Sequence, residues 1–211
     1  MSKECADVHR IAGNLPRHDF PFDESLIPLN GIYVLFQKGE VGHDQDRIVR
    51  IGTHTGNDQL RSRLKQHFLI ENKDRSIFRK NIGRSLLNKK NDSFLRYWEI
   101  DLTSRKAKNQ YASLIDSDYQ KQIESEVSQY IRTNFSFIVF ELKDKADRLE
   151  AESKLISTVS LCDECCPSDN WLGNFSPKAK IVKSGLWQVN ELYKTQFDVS
   201  GVEGLSMLIK G

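Results

Sequence analysis

Two β-rich runs joined by a short polar segment constrain the fold more than any other feature of the chain. Residues 31–37 and 47–52 are rich in the β-branched and aromatic residues typical of strands, and residues 40–46 between them are polar. So short a connection joins antiparallel neighbours, because parallel strands need a crossover of about a dozen residues or more. The two runs therefore predict a hairpin with a loop at residues 40–46.

Helical periodicity follows the hairpin. Leu60, Leu64 and Phe68 lie at i, i+4 and i+8, which predicts an amphipathic helix over residues 58–68 with Asp58 as its N-cap. Apolar residues with the same period predict further helices over residues 77–89, 119–133, 148–160 and 186–194.

A later strand completes the sheet. Residues 135–142 have a nearly continuous apolar centre, which is typical of a buried, central strand. A short strand is expected at residues 98–102, a loop at 104–118 and an irregular lead-in at 1–28, where prolines discourage regular structure. The order of elements predicts an α+β fold with a small, central, three-stranded and mainly antiparallel sheet flanked by helices.

The positive charge is concentrated in one segment. The net charge of the whole chain is only +2, but residues 61–96 contain 11 Lys and Arg against 3 Asp and Glu. Such a block is typical of a phosphate-binding surface, and its ordinary alternative is a solvated helical face. The segment is therefore predicted to be a basic helical insertion.

The chain has the composition of a cytoplasmic globular protein. No apolar stretch approaches the roughly 18 residues of a membrane span, and the first 15 residues lack the apolar run of a signal peptide. Four cysteines, three of them at positions 162, 165 and 166, do not form a disulfide scaffold. Structural zinc needs four ligands, and Cys5, His9 or His18 could complete a site in space, but small buried thiols are the favoured interpretation.

Five short motifs lie in a fixed order on these elements. The first two are on the hairpin strands, the third is on the helix that follows, and the last two follow the third strand. They are Gly31-Ile32-Tyr33, Arg50-Ile51-Gly52, Arg63-x-x-x-His67, Glu152-x-x-Leu155-Ile156 and Pro167-x-x-Asn170.

In these motifs the chain resembles the GIY-YIG nuclease family. The resemblance covers roughly residues 30–69 and 134–175, and it implies a GIY-YIG-like domain over residues 30–175. Residues 70–133 are then the helical insertion, 1–29 an N-terminal extension and 176–211 a C-terminal extension packed on the domain. The family's activity, hydrolysis of nucleic-acid phosphodiesters with one divalent metal ion, is implied for this chain.

The chemistry of the motif residues fits that activity. Glu152 is a hard ligand suited to Mg²⁺ or Mn²⁺, and Arg63 has a fork that matches phosphate oxygens. The resemblance implies that Tyr33 is the general base, although a phenol with a pKa near its reference value of about 10 is a poor base at neutral pH. His67, one helical turn from Arg63, could orient or accept that proton. Asn170 is expected to orient groups locally, or simply to stabilise a turn.

The second motif departs from the family pattern. Arg50 stands where the family has tyrosine, and an arginine cannot act as a base. It can instead bind phosphate or lower the pKa of Tyr33. The catalytic set predicted from the sequence is therefore Tyr33, Arg50, Arg63, His67, Glu152 and Asn170, with Glu152 as the metal ligand.

The basic segment supplies a predicted DNA-binding set. A basic helix beside a phosphodiester-cleaving site would follow the DNA backbone and make binding dependent on salt. The residues of this set are Arg61, Lys65, Lys73, Arg75, Arg79, Lys80 and Arg84.

Three functional hypotheses follow. The first is a metal-dependent DNA endonuclease, with a restriction enzyme as one form of it; cutting two strands would then favour a homodimer, although no interface is readable. The second is an inactive nucleic-acid-binding module on a nuclease scaffold, which the missing second tyrosine would explain. The third is a domain whose basic segment binds an acidic protein.

Overall fold

The computed structural model describes residues 3–210, and in these residues three strands form one antiparallel sheet. Strand β1 (Gly31–Gly42) lies between β2 (Gln45–Gly52) and β3 (Phe135–Glu141). The predicted fold class, a three-stranded antiparallel sheet flanked by helices, is confirmed.

Helices cover both faces of this sheet. In chain order they are α1 (Lys3–Gly13), α2 (Leu60–Phe68), α3 (Ile77–Lys89), α4 (Leu95–Trp98), α5 (Arg105–Tyr111), α6 (Ser117–Asn134), α7 (Lys145–Ser160), α8 (Ala179–Ser184) and α9 (Val199–Lys210). Short 3₁₀ turns occur at Glu24–Leu26, Ala112–Leu114 and Leu172–Phe175. None of the described helices combines the length and the apolar content that a membrane span requires.

The sheet separates two hydrophobic cores. Because side chains alternate along a strand, Ile32 and Val34 pack with α1, α7 and α9, whereas Tyr33 and Leu35 pack with α2, α3 and α6. Both faces of the sheet are therefore buried, which accounts for the nearly continuous apolar runs of the strands.

The third strand lies at an edge, so its prediction as the central strand was wrong. Phe137 exchanges backbone hydrogen bonds with His18, at 2.8 and 2.9 Å, along the side of β3 that faces away from β1. This bridge and the two helical layers bury β3 as thoroughly as a central strand. Burial, which the apolar run did predict, does not distinguish the two positions.

The hairpin is longer and its turn tighter than predicted. His43 and Asp44, both with positive φ, form a two-residue turn, and the flanking residues 40–42 and 45–46 belong to the strands. The charged Glu40 is buried in β1 because Arg47 of β2 pairs with it at 2.6 Å. Because the charge of Glu40 is buried in an ion pair, the sequence of this part of the strand resembles that of a polar loop.

Several local predictions were also wrong. Gln59, not Asp58, is the N-cap of α2, and Asp58 has a φ of +57°. Residues 98–102 are not a strand, because Trp98 ends α4 and is buried against α3. Residues 186–194 are not a helix, since Glu191 has a φ of +61°. The expected loop and lead-in contain α5 and α1, respectively.

Candidate active site

Two motif glycines bring the start of β1 into close contact with its neighbours. Tyr33 of β1 is paired with Gly52 at the end of β2, and a Cβ atom on Gly52 would lie only 2.2 Å from the Tyr33 hydroxyl oxygen. A Cβ atom on Gly31 would lie 2.1 Å from the backbone oxygen of Phe140 in β3. The glycines therefore make room for the tyrosine ring and for the adjacent strand.

The Tyr33 hydroxyl belongs to a buried hydrogen-bond chain. It lies 2.9 Å from Nε2 of His67 on α2, and Nδ1 of His67 lies 2.7 Å from Oγ of Ser76, the N-cap of α3. Nε of Arg50 donates to the same tyrosine oxygen at 3.3 Å. With a phenol, Tyr33 donates to His67; with a phenolate, it accepts from both Arg50 and His67.

His67 is held in its neutral form. Burial lowers its pKa well below the usual value of 6.5, and the positive charges of Arg50, Arg63 and Arg79 lower it further. A neutral imidazole can accept a proton at neutral pH, whereas an imidazolium cannot. The neutral ring can therefore accept the hydrogen bond of the Tyr33 hydroxyl at Nε2.

Arg50 connects this chain with an open cleft of about 480 Å³ at the edge of β2. Its Nη1 donates to the backbone oxygen of Trp187 at 2.6 Å, and its guanidinium lies over the Phe78 ring. Tyr33 itself is only 1% exposed and does not line the cleft. Its hydroxyl lies against Gly52, next to the cleft residue Ile51.

Glu152 places a carboxylate on the cleft wall from α7. Its Oε1 accepts the backbone N–H of Thr53 at 3.0 Å, and Oε2 has no partner among residues 3–210. Burial raises the pKa of this carboxyl, although the hydrogen bond from Thr53 and the charge of Arg50 act in the opposite direction. A partly buried carboxylate with one oxygen available fits a hard divalent cation, which would stabilise its charged form.

Arg63 supplies the cleft with a cation that no carboxylate neutralises. It projects from α2, and its Nη1 donates to Oε1 of Gln66 at 3.2 Å. In the part of the chain that the structure describes, it has no ion pair. The guanidinium can therefore bind the oxygens of a phosphate.

The structure brings some predicted residues together and leaves one apart. Arg50, Arg63 and Glu152 line the cleft, and Tyr33 and His67 contact it through Arg50. Asn170 does not reach it: this residue is exposed on the turn that precedes the buried Trp171.

The sequence reasoning missed several cleft residues. Asn81 of α3 is 1% exposed; its Oδ1 accepts from Arg84, but its Nδ2 has no partner in the described chain and lines the cleft. A single Asn inside a predicted helix does not indicate a functional site. The segment after Trp187 contributes Gln188, Asn190 and Glu191 to the cleft. These residues were not recognised because the segment was predicted to be a helix.

The basic insertion is mostly a buried ion-pair network, and four of the seven predicted DNA-binding residues are buried in it. Arg79 is fully buried against Glu124 at 2.8 Å, and Arg84 forms a bidentate pair with Glu99 at 2.6 Å. Lys73 and Lys80 are buried beside Asp74, at 2.7 and 3.4 Å. The sequence pattern could not show which acidic residues neutralise the block, since Asp74 lies within it and Glu99 and Glu124 follow it in the chain.

The remaining three predicted DNA-binding residues are nearer to solvent. Arg61 is half-buried and donates to the backbone oxygen of Ile27 at 2.7 Å. Lys65 pairs with Glu24 at 2.7 Å, and Arg75 is exposed. Of the seven, these three alone are accessible to a phosphate backbone.

Comparison with known proteins adds a family to this geometry. The chain matches the family model described as the GIY-YIG domain over residues 15–211. No curated protein and no solved structure gives a significant match. The family match spans the hairpin, the insertion and the segment that closes the cleft.

Proposed function

The chain belongs to the GIY-YIG domain family, and we propose that it is a divalent-metal-dependent DNA endonuclease. Membership of this family implies a nuclease; the metal, the DNA substrate and the residue roles are our proposal. The observation that supports it most is the cleft, which is lined by the carboxylate of Glu152 and the guanidinium of Arg63 and is linked through Arg50 to the Tyr33–His67 pair.

Tyr33 and His67 would remove the proton of the attacking water. Nε of Arg50 donates a hydrogen bond to the tyrosine oxygen at 3.3 Å and would stabilise the negative charge that develops there during proton transfer. His67 can accept the tyrosine proton at Nε2 while its Nδ1–H donates to Ser76. Arg50 therefore takes over an electrostatic task, and its presence in place of tyrosine is compatible with catalysis.

Arg63 and Asn81 would bind the phosphate. As water attacks the phosphorus, negative charge develops on the nonbridging phosphoryl oxygens and on the leaving oxygen, and preorganised donors stabilise it. The fork of Arg63 and the partnerless Nδ2 of Asn81 are two such donors on the cleft wall. Glu152 would hold the divalent cation, Mg²⁺ or Mn²⁺, which supplies further charge stabilisation at the phosphate.

A restriction enzyme is the form of this activity that we propose. A DNA-recognition surface would then come from the domain itself, and two copies would cut the two strands. Supercoiled plasmid incubated with Mg²⁺ or Mn²⁺ should yield discrete fragments, and sedimentation should show a homodimer. Random nicking would overturn the restriction assignment but leave the nuclease, whereas salt-sensitive binding without cleavage would identify an inactive binding module.

The variant Glu152→Gln tests the metal ligand. The amide keeps an acceptor for the Thr53 N–H but loses the charge that holds the cation, so cleavage should fall by about 10³-fold or more while DNA binding persists. Glu150→Gln is a matched control, because Glu150 lies on the same helix, is exposed and pairs with Lys154 at 2.7 Å. Equal metal-dependent cleavage by both variants would overturn the role of Glu152.

A further inference from the structure

Thiol and imidazole side chains converge at the turn end of the hairpin, far from the cleft. The ligand atoms of Cys5, His9, His43 and Cys165 all lie within 4.8 Å of one another. Cys5 and His9 are one helical turn apart on α1, His43 is on the hairpin turn, and Cys165 is in the loop after α7. Three segments distant in sequence thus bring four soft or borderline donors together.

The distances between these atoms fit a tetrahedral metal ion. Zinc bonds of about 2.3 Å to sulfur and 2.0 Å to nitrogen separate tetrahedral ligand atoms by about 3.3–3.8 Å. The two sulfurs of Cys5 and Cys165 are 3.5 Å apart. The sulfur of Cys165 is 3.9 Å from Nε2 of His9.

The ring of His9 is oriented as zinc-ligating histidines are. Its Nδ1–H donates to the backbone oxygen of Cys5 at 2.9 Å, which leaves Nε2 as the ligand atom. Nε2 also accepts the Ile48 N–H at 3.2 Å, a contact that a bound ion would displace. His43 has a similar outer partner, since Glu164 lies 3.6 Å from its Nδ1.

The hairpin backbone is shaped around the cluster. A Cβ atom on Gly42 would lie 3.2 Å from the Cys165 sulfur and 3.5 Å from Nε2 of His9. Two-residue turns of this kind favour Asn or Gly at the first position, yet His43 occupies it with a φ of +52°. The turn thus carries a metal-binding residue where the backbone alone would favour another.

We propose that Cys5, His9, His43 and Cys165 form a structural zinc site. Two thiolates and two imidazoles in a tetrahedron select Zn²⁺ among common ions, and four protein ligands leave no open position for catalysis. Eight residues of β1 lie between Gly42 and Tyr33, which corresponds to roughly 25–30 Å of strand. The ion would join α1 and the loop after α7 to the hairpin, independently of the proposed nuclease activity.

Zinc content tests the site directly. Protein purified without chelators should contain about one zinc per chain, and Co²⁺ in its place should give the absorption of a tetrahedral thiolate site. Cys165→Ser should lose both signals, whereas Cys166→Ser should keep them, because Cys166 is exposed and donates to Asp163. Equal zinc in the two variants would overturn the proposal.

Two further variants are controls, one for misfolding and one for a different set of zinc ligands. His43→Asn should keep the turn, which Asn favours, and lose the zinc. Cys162→Ser should keep the zinc, although the Cys162 sulfur is 3.3 Å from Nε2 of His43, and loss of zinc there would overturn the four-residue assignment.

The melting temperature and the mass of the protein provide two further tests of the zinc site. Zinc removal from wild-type protein should lower the melting temperature by roughly 5–10 °C, because the ion binds only the folded state. A chain that remains metal-free after incubation with Zn²⁺, or whose mass shows a Cys5–Cys165 disulfide, would overturn the proposal. Plasmid cleavage with added Mg²⁺ is a separate measurement, so failure of either proposal is recognised independently of the other.

Discussion

The arginines of the cleft and those of the insertion differ in their partners. Arg50 and Arg63 have no carboxylate partner in the described part of the chain; their hydrogen-bond acceptors are hydroxyl, amide and backbone oxygens. Arg79 and Arg84 are instead paired with Glu124 and Glu99 and are almost fully buried. The same side chain therefore stabilises the fold in one region and remains available for a substrate in the other.

The difference teaches that positive charge in a sequence does not locate a binding surface. Burial of a guanidinium is costly, and a carboxylate with further acceptors compensates that cost for Arg79 and Arg84. An arginine that lines a cleft without such a partner still has its full capacity to bind an anion. The partner, rather than the charge, distinguishes the two roles.

The largest expected effect comes from removing a cation from the insertion. Arg79→Met leaves Glu124 charged and buried, so the free energy of unfolding should fall by about 3–5 kcal/mol, measured by urea denaturation. Arg75→Ala, at an exposed position, should change it by less than about 0.5 kcal/mol.

A second substitution makes that prediction sharper. Glu124→Gln added to Arg79→Met removes the orphaned charge, while the amide oxygen can still accept the Lys73 N–H. The double variant should therefore be more stable than Arg79→Met alone. If the double variant is less stable than Arg79→Met, the unpaired charge of Glu124 is not what destabilises the single variant.

Removing a cation from the cleft should slow cleavage and leave the free energy of unfolding almost unchanged. Arg63→Ala should slow single-turnover cleavage by about 10²–10³-fold, the usual effect of deleting one donor to transition-state charge. Its unfolding free energy should stay within about 0.5 kcal/mol of wild type, because no buried ion pair is broken. A destabilised Arg63→Ala protein that cleaves DNA normally once folded would place Arg63 with the structural arginines.

The sequence predicted the scaffold better than the surface. The motif order and the strand and helix periods placed Tyr33, Arg63, His67 and Glu152 on the elements that carry them, because local period and glycine positions determine those elements. Asn81 and Gln188 were missed since only tertiary packing brings α3 and the segment after Trp187 to the cleft. The buried ion-pair network was not predicted for the same reason, because only the folded structure shows that Glu99 and Glu124 pair with arginines of α3.

The pKa values of one carboxyl in each region, Glu152 in the cleft and Glu99 in the insertion, are shifted in opposite directions. Burial raises the pKa of Glu152 and is not fully offset by its neighbours. Burial acts on Glu99 too, but the hydrogen bonds and charge of Arg84 outweigh it, and its pKa is lowered. The Glu99 pair is thus present above the unfolded pKa of about 4.3 and is lost only as pH falls through the lower, folded value.

Glu152 should therefore lose its cation while the insertion is still paired. Below the pKa of Glu152, protons and Mg²⁺ compete for the carboxylate, so the Mg²⁺ concentration for half-maximal cleavage should rise about tenfold per pH unit. The measurement is an Mg²⁺ titration of the cleavage rate at several pH values. Excess Mg²⁺ should restore the rate at acidic pH, and a loss that Mg²⁺ cannot restore would point to unfolding or to protonation of His67.

The smallest effect concerns the salt dependence of DNA binding, which separates the two regions without any change in fold. If all seven predicted residues bound phosphates, log Kd would change with log salt concentration with a slope of about 6, at roughly 0.9 per contact. With Arg61, Lys65 and Arg75 as the accessible members of that set, we expect a slope of about 3. Arg75→Ala should lower it by about 0.9, measured by anisotropy of labelled duplex DNA without divalent metal. A wild-type slope near 6 would mean that the ion pairs of the insertion open on DNA, because buried cations cannot release counterions from phosphates that they do not touch.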